Sequence, residues 1–261
     1  EGNISVSGEG DLNIFAEQAA DSYDSSYTLN GQLTVGSDEV IESQSNGIVS
    51  IINMSTGKFD FTMNGGAVLV QNGGNLYFGN RNGGTMNVSG VPSFYVQGNN
   101  SVLAFSGVTV DGDNNGNNKL ESIFVSDMGT LNLADGTKIN GGDGLKGVNV
   151  LAGGTLSLKD SSLQGDSFNL TVQDYGTVEL DNSTLSIDNA AAQTGGETSS
   201  GAAIVFDNGN LTLKDKSKLE MTSGVDTGVI SGAFSFTDSN VNISGSSTLS
   251  KGNSGDMLFS G

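Results

Sequence analysis

DMGTLNLADGTKINGG, residues 127–142, sets the pattern of this chain, because close variants of it recur along the sequence. The related phrases are GTLNLADGTKI from Gly129, GTLSLKDSSL from Gly154, GTVELDNSTLSI from Gly176, GNLTLKDKSKLEM from Gly209 and FSFTDSNVNI from Phe234. Spacings of 25, 22, 33 and 23 residues separate their leading apolar residues, Leu131, Leu156, Val178, Leu211 and Phe234. Periods of this length are typical of solenoids, in which each repeat is one structural unit.

Apolar and polar residues alternate within each phrase, which is the pattern of a strand with one buried side. Leu131 and Leu133 would point to one side of such a strand, and Asn132 to the other. A second apolar strand precedes each phrase, as in IFVSD from Ile123 and NLTVQD from Asn169. Each repeat is therefore predicted to form three short strands separated by turns of Gly, Asn and Asp. Stacked coils of this kind pair their strands in parallel and bury a continuous core.

The N-terminal half carries the same alternation less regularly. Six stretches fit it: GQLTV from Gly31, GKFDF from Gly57, GNLYF from Gly74, GTMNV from Gly84, SFYVQ from Ser93 and SVLAF from Ser101. We interpret them as earlier coils of the same solenoid, with residues 1–30 as a first or capping coil. The sequence predicts an all-β fold, a single-stranded parallel β-helix over residues 31–261, with about ten coils of three short strands.

Composition narrows the possible partners. The 261 residues include 29 acidic and 10 basic side chains, which gives a net charge of −19. Such a surface repels phosphate backbones, so we expect no nucleic acid partner. Because no run of apolar residues approaches a length of about 18, we expect no direct membrane insertion. Cysteine is absent, which excludes disulfides and thiolate metal sites. The opening residues EGNISVSGEG lack the charged and apolar regions of a signal peptide.

Two polar stretches interrupt the period: DGDNNGNNKLES at 111–122 and NAAAQTGGETSSG at 189–201. Insertions in solenoids form loops, which either are tolerated on the surface or take part in binding. The first stretch partly follows a calcium-loop pattern through Asp111 and Asp113, but the carboxylate expected at position twelve is missing. We therefore expect no cofactor, with calcium as the alternative.

Two sets of outward residues are candidates for binding. One set is a predicted polar ladder with one member in each coil: Asn132, Ser157, Glu179 and Thr212. It either keeps the sheet soluble or offers many weak hydrogen bonds to another rod or to an extended glycan. The other set is the only cluster of basic residues, Lys214, Lys216 and Lys218, to which a sulfated glycan could bind.

A parallel β-helix also raises the possibility of a polysaccharide lyase or hydrolase. Enzymes of that type combine grouped carboxylates with a basic catalytic residue. Arg81 is the only arginine, histidine is absent, and Lys138 and Lys159 occupy outward or turn positions. We therefore expect that the chain is not an enzyme.

The phrases GTLNLADGTKI, AGGTLSLKDSSL and YGTVELDNSTLSI resemble the passenger domains of Gram-negative autotransporter adhesins of the antigen forty-three and diffuse-adherence type. The resemblance extends over roughly residues 30–261, and the lack of cysteine suits export through the outer membrane. It implies a right-handed β-helix at the bacterial cell surface that acts in cell aggregation, biofilm formation and virulence. The implied partner is a second copy, associated rod to rod and antiparallel. A host glycan, such as a glycosaminoglycan, or a matrix protein is the alternative.

Overall fold

A computed structural model describes residues 4–6, 11–16, 24–36, 47–112, 119–166, 168–188, 203–222, 233–251 and 257–260. These residues form 28 short strands and no helix. Every strand from the first to the twenty-fifth pairs in parallel with the strand three places further along the chain, which generates three sheets, here called A, B and C. Nine complete coils and one further strand of sheet A are present among these residues, so the prediction of a parallel β-helix is confirmed.

The three sheets run the length of the helix. Sheet A contains β1 (Ile4–Val6), β4 (Leu33–Val35), β7 (Val68–Gln71), β10 (Ser93–Gln97), β13 (Ser122–Ser126), β16 (Gly147–Val150), β19 (Asn169–Gln173), β22 (Ala203–Asp207), β25 (Ala233–Thr237) and β28 (Met257–Ser260). Sheet B contains β2 (Asp11–Ala16), β5 (Ile48–Asn53), β8 (Asn75–Asn80), β11 (Val102–Ser106), β14 (Thr130–Ala134), β17 (Thr155–Lys159), β20 (Thr177–Asp181), β23 (Asn210–Lys214) and β26 (Asn240–Ile243). Sheet C contains β3 (Ser25–Leu29), β6 (Lys58–Met63), β9 (Thr85–Ser89), β12 (Val108–Asp111), β15 (Lys138–Asn140), β18 (Ser162–Asp166), β21 (Thr184–Asp188), β24 (Lys218–Met221) and β27 (Thr248–Lys251).

The inward residues of successive coils stack into one apolar core. Leu131 pairs in register with Leu156, and Leu156 with Val178, and all three are fully buried. Aromatic side chains stack in the same way, because Phe78 and Phe105 lie 5.0 Å apart between ring centroids. One coil therefore supplies the surface that covers the next, as expected for a solenoid.

The structure corrects the phase of the fifth repeat phrase. Phe234 was aligned with Leu211, but Phe234 lies in sheet A and pairs with Ile204. The partner of Leu211 in sheet B is Val241. The strands on either side of Asp238 both alternate apolar and polar residues, so alternation alone did not distinguish one sheet from the next.

The six N-terminal stretches are strands but not six separate coils. GQLTV and SFYVQ belong to sheet A, GNLYF and SVLAF to sheet B, and GKFDF and GTMNV to sheet C. They fall within the second, third and fourth coils, each of which contains one strand of every sheet. The first coil, β1 to β3, lies between Ile4 and Leu29.

A glycine stands at the corner between sheets A and B in five coils, at Gly74, Gly129, Gly154, Gly176 and Gly209. A Cβ atom added at Gly176 would lie 2.2 Å from the carbonyl oxygen of Val150 in the preceding coil. The corresponding distance at Gly74 is 2.2 Å to the oxygen of Val35. At these positions the backbone approaches the coil below too closely for a Cβ atom, which explains the glycine that opens four of the five phrases. Ser101 and Ser239 occupy the equivalent corner in two other coils.

A column of buried hydroxyl groups marks the corner between sheets B and C. Its members in successive coils are Thr137, Ser161, Ser183 and Ser217. The Ser183 hydroxyl accepts a hydrogen bond from the Ser161 amide at 3.0 Å and donates one to the carbonyl oxygen of Asp181 at 2.8 Å. The Ser183 amide in turn donates to the Ser217 hydroxyl at 3.2 Å. These bonds satisfy backbone groups that the sharp corner removes from the sheet ladders.

Candidate interaction surfaces

The predicted polar ladder is one continuous row on the outer face of sheet B. Asn132 pairs with Ser157, Ser157 with Glu179, and Glu179 with Thr212. Glu179 is exposed and the other three side chains are half-buried. The row continues to Asn242 in the next coil. The structure therefore brings these four residues together, although they are 22 to 33 residues apart along the chain.

The two edges of sheet B differ in charge. The edge beside sheet A, here called the A–B edge, carries four exposed carboxylates, Asp127, Asp174, Asp207 and Asp238. Within the described turns of that edge no lysine or arginine occurs. The edge beside sheet C, here called the B–C edge, carries seven basic side chains and five carboxylates: Lys58, Arg81, Lys138, Lys159, Lys214, Lys216 and Lys218, and Asp24, Asp135, Asp160, Asp181 and Asp215. Seven of the ten basic residues of the chain therefore lie along one edge.

The three clustered lysines lie on the B–C edge in a single coil and are exposed. Lys214 ends β23, Lys216 is in the turn, and Lys218 begins β24. Asp181 pairs in register with Lys214 on one side and with Lys159 on the other. The pairing adds Lys159 to this cluster, which sequence spacing alone did not reveal.

The outer face of sheet C holds a shallow groove of about 500 Å³ that was not predicted. It crosses four coils and is lined by polar residues: Lys58, Asp60, Thr62, Asn87, Ser89, Thr109, Asp111 and Asn140. These side chains form two rows, because Asn87 pairs with Thr109, and Ser89 with Asp111. A sequence signal exists in the polar outward positions of these strands, but only the correct assignment of strands to sheets brings those positions together.

Hydrogen bonds hold several groove side chains in place. The Lys58 ammonium lies 2.7 Å from one Asp60 oxygen, and the Asn87 amide donates to the other at 2.8 Å. The hydroxyls of Thr62 and Ser89 are 3.2 Å apart. The hydrogen bond and charge of Asp60 raise the pKa of Lys58 above its ordinary value, so this ammonium stays protonated at neutral pH.

Other predicted sites are only partly described. Asp111 is exposed and lines the groove, whereas Asp113 and the stretch 189–201 lie outside the described residues. The calcium interpretation of 111–122 therefore stays a prediction. Within the described ranges, no three His, Cys, Asp or Glu side chains are grouped so that they could hold a metal ion. Lys138 and Lys159, considered for catalysis, are exposed on the B–C edge.

The chain matches no protein-family model, no curated protein and no solved structure. Among the residues that the structure describes, none forms a helix with the length and apolar character that crossing a membrane requires. The geometry of the outer faces therefore carries the functional argument.

Proposed function

We propose that the chain is a passenger segment of a bacterial cell-surface autotransporter adhesin, exported through the outer membrane, that self-associates through the outer face of sheet B. Because exported rods are anchored by the same end, antiparallel pairing would join two cells in aggregation and biofilm formation, whereas parallel pairing would cluster rods on one cell surface. The observation that supports self-association is the arrangement of charge around one polar face. An acidic edge and a lysine-bearing edge flank the row from Asn132 to Thr212.

The charge pattern distinguishes two ways of placing sheet B against sheet B. In a parallel pair, a two-fold axis along the rods brings the A–B edge of one copy opposite the B–C edge of the other. Asp207 then faces the coil that carries Lys214 and Lys216 in the second copy. In the antiparallel pair that the sequence resemblance implies, each edge meets its own equivalent, and the carboxylates of the A–B edges face one another. Unlike charges attract and like charges repel, so the pattern favours the parallel pair.

The expected interaction is weak and depends on salt. An exposed ion pair contributes about 0 to 1 kcal/mol, so three or four pairs along the edges change the affinity by about two orders of magnitude. Most of this contribution disappears at high salt, because exposed charges are screened over about 8 Å at physiological ionic strength. Many such rods on one surface would add their weak contacts together.

Sedimentation equilibrium across protein concentration, at low and at high salt, tests the proposal. We expect a concentration-dependent dimer that dissociates as salt is raised. Changing Lys214, Lys216 and Lys218 to Glu should weaken the dimer, and so should changing Asp207 to Lys, because these groups belong to the same coil and face one another in the parallel pair. The chain with both sets of substitutions should recover the wild-type affinity, because unlike charges again face one another in that coil. A wild-type chain that is monomeric under every condition would refute self-association.

Two substitutions off sheet B provide the matched charge control. Lys119→Glu together with Lys146→Glu changes the net charge in the same direction without altering either edge of sheet B. We expect this chain to dimerise like the wild type, apart from a small general effect of added negative charge.

Disulfide crosslinking distinguishes the two orientations, since the chain has no cysteine of its own. Asn132→Cys and Thr212→Cys place a thiol in the same row of sheet B, three coils apart. In a parallel pair each variant crosslinks to itself. In an antiparallel pair at most one of them does, and a mixture of the two variants can crosslink instead.

A second candidate function is binding to a host glycosaminoglycan or matrix protein without self-association. The observation in its favour is the exposure of Lys214, Lys216 and Lys218 at one corner of one coil. Asp181 and Asp215 lie among these lysines and reduce their attraction for a sulfated chain. Retention on heparin that is lost in the triple lysine-to-glutamate chain, together with a monomeric wild type, would favour this function.

A further inference from the structure

We infer that the groove on the outer face of sheet C is a binding site for an unbranched neutral glycan. This site is on a different face from the proposed self-association surface and does not depend on it. The inference rests on the chemistry of the lining, its charge and its spacing along the rod.

The lining matches the hydroxyl groups of a sugar. Thr62, Ser89 and Thr109 provide hydroxyls, and Asn87 and Asn140 provide amides. Each of these groups both donates and accepts hydrogen bonds, as a sugar hydroxyl does. A glycan that lies in the groove would therefore exchange its hydrogen bonds to water for hydrogen bonds to these side chains.

The charge of the groove favours a neutral chain. Lys58 is its only cation, and it is paired with Asp60 at 2.7 Å. Asp111 adds a carboxylate on the same face. Within the groove a sulfated or uronic acid chain would meet two carboxylates and one cation that is already paired with Asp60, whereas Lys138, which follows Thr109 in the same row, lies beyond the lining.

The spacing of the coils fits a repeating ligand. Strands of one sheet are about 4.8 Å apart, which is close to the length of one pyranose residue in an extended chain. Asp60, Asn87 and Thr109 stand in one row along the rod axis, one in each of three successive coils. Successive sugar residues that lie along this axis would therefore meet equivalent positions in the groove.

The lining is also organised before a ligand arrives. Asp60 is fixed between Lys58 and Asn87, and the Thr62 and Ser89 hydroxyls are held together. All five residues are on strands of the helix, so binding orders few additional groups.

We expect the bound glycan to be left intact. Asp60 is held by the Lys58 ammonium and the Asn87 amide, so it is not placed as the free general acid that a glycosidase requires. The protonated Lys58 does not supply the base that a lyase requires.

Titration calorimetry with defined hexasaccharides tests the inference. The neutral probes are cellohexaose, maltohexaose, xylohexaose and mannohexaose, and the anionic probes are hexagalacturonate and a heparin hexasaccharide. Thr109→Leu fills the groove and removes a hydroxyl. Thr184→Leu is the matched control, since it makes the same change in the same row but outside the groove. We expect at least one neutral probe to bind, with at least tenfold weaker binding by T109L and less than twofold change in T184L.

A second groove variant, Ser89→Ala, removes a hydroxyl without adding volume and should weaken the same probe. A cooperative thermal unfolding transition shows that each variant is folded before it is heated. The inference is overturned if no neutral probe binds, if T109L and T184L weaken binding equally, or if an anionic probe binds instead at the groove. New reducing ends after incubation would overturn the expectation of an intact glycan. Because T109L leaves sheet B unchanged, its sedimentation should match the wild type, which separates this test from that of self-association.

Discussion

Ser183→Ala tests the column of hydroxyl groups at the B–C corner. Ser183 is 3% exposed, and its hydroxyl accepts a hydrogen bond from the Ser161 amide at 3.0 Å. Alanine removes that acceptor and leaves the Ser161 amide without a partner at a corner where water has little access. The Asp181 carbonyl keeps another donor, the amide of Asp160 at 2.9 Å. The loss is therefore concentrated on one buried N–H group.

The loss of stability caused by Ser183→Ala follows from the unsatisfied Ser161 N–H group. A buried donor left unsatisfied costs about 1 to 3 kcal/mol. A value of about 2 kcal/mol lowers the melting temperature of a chain of this size by about 4 to 8 °C. The same value corresponds to about a 30-fold change in an opening equilibrium, which hydrogen exchange at the Ser161 amide reports.

Circular dichroism measures the melting temperature, and hydrogen exchange of the Ser161 amide reports the local effect. Ser183→Thr is the matched control, because Thr137 occupies the equivalent corner position and is fully buried. We expect S183T to keep most of the stability that S183A loses. An S183A chain as stable as the wild type, with unchanged exchange at Ser161, would refute the proposed role of the column.

Three further perturbations test the packing and one ion pair. Gly176→Ala should destabilise the fold by about 1 to 3 kcal/mol in chemical denaturation, because its Cβ would lie 2.2 Å from the Val150 oxygen. Phe105→Ala should cost about 3 to 5 kcal/mol by the same measurement, since this ring is fully buried and stacked. Lys119→Met should raise the pKa of Asp143 towards its ordinary value, as observed by NMR titration, because the Lys119 hydrogen bond and charge lower it.

The Gly176→Ala prediction has a matched control, and the Asp143 prediction has a defined pH dependence. Gly147→Ala should cost less than G176A, because its Cβ would lie 3.2 Å from the Asn149 side chain and 3.9 Å from the Asn169 carbonyl oxygen, with no closer contact. Since the pKa of Asp143 is lowered in the folded chain, its pairing stabilises the fold above the ordinary pKa of an aspartate. That stabilisation is lost as the pH falls through the lowered value. An unchanged Asp143 titration in the Lys119→Met chain would contradict the assigned cause.

The fold could be predicted largely because inward residues and corner glycines act together. Alternation identified the buried positions such as Leu131 and Leu156, and the recurring glycine located the corner before most of the sheet B strands. The polar row from Asn132 to Thr212 followed from this register. Each of these features is local to one repeat, so a single sequence is sufficient to find them.

The assignment of strands to sheets was less accessible. Gly57 and Gly74 both precede an alternating strand, yet the first strand is in sheet C and the second in sheet B. The misplacement of Phe234 has the same origin. All three sheets have one inward and one outward side, so periodicity gives the same signal for each of them.

The groove and the two charged edges could not be predicted without assigning each strand to its sheet. Lys58 and Asn87 are seen to line the same groove only when β6 and β9 are both placed in sheet C. Likewise, Lys159 joins Lys214 through Asp181 only when the corners of different coils are superimposed. These surfaces are properties of the stacked coils and have no signature within one repeat.

The parallel pairing of every strand with its equivalent in the next coil has a mechanical consequence. The hydrogen bonds between coils point along the rod, so a force applied to the two ends opens them a few at a time instead of shearing a whole sheet at once. Each released coil of 22 to 33 residues adds on the order of 9 nm of extended chain. Under tension the rod would lengthen in a series of small steps, each of which absorbs work while the remaining coils stay folded.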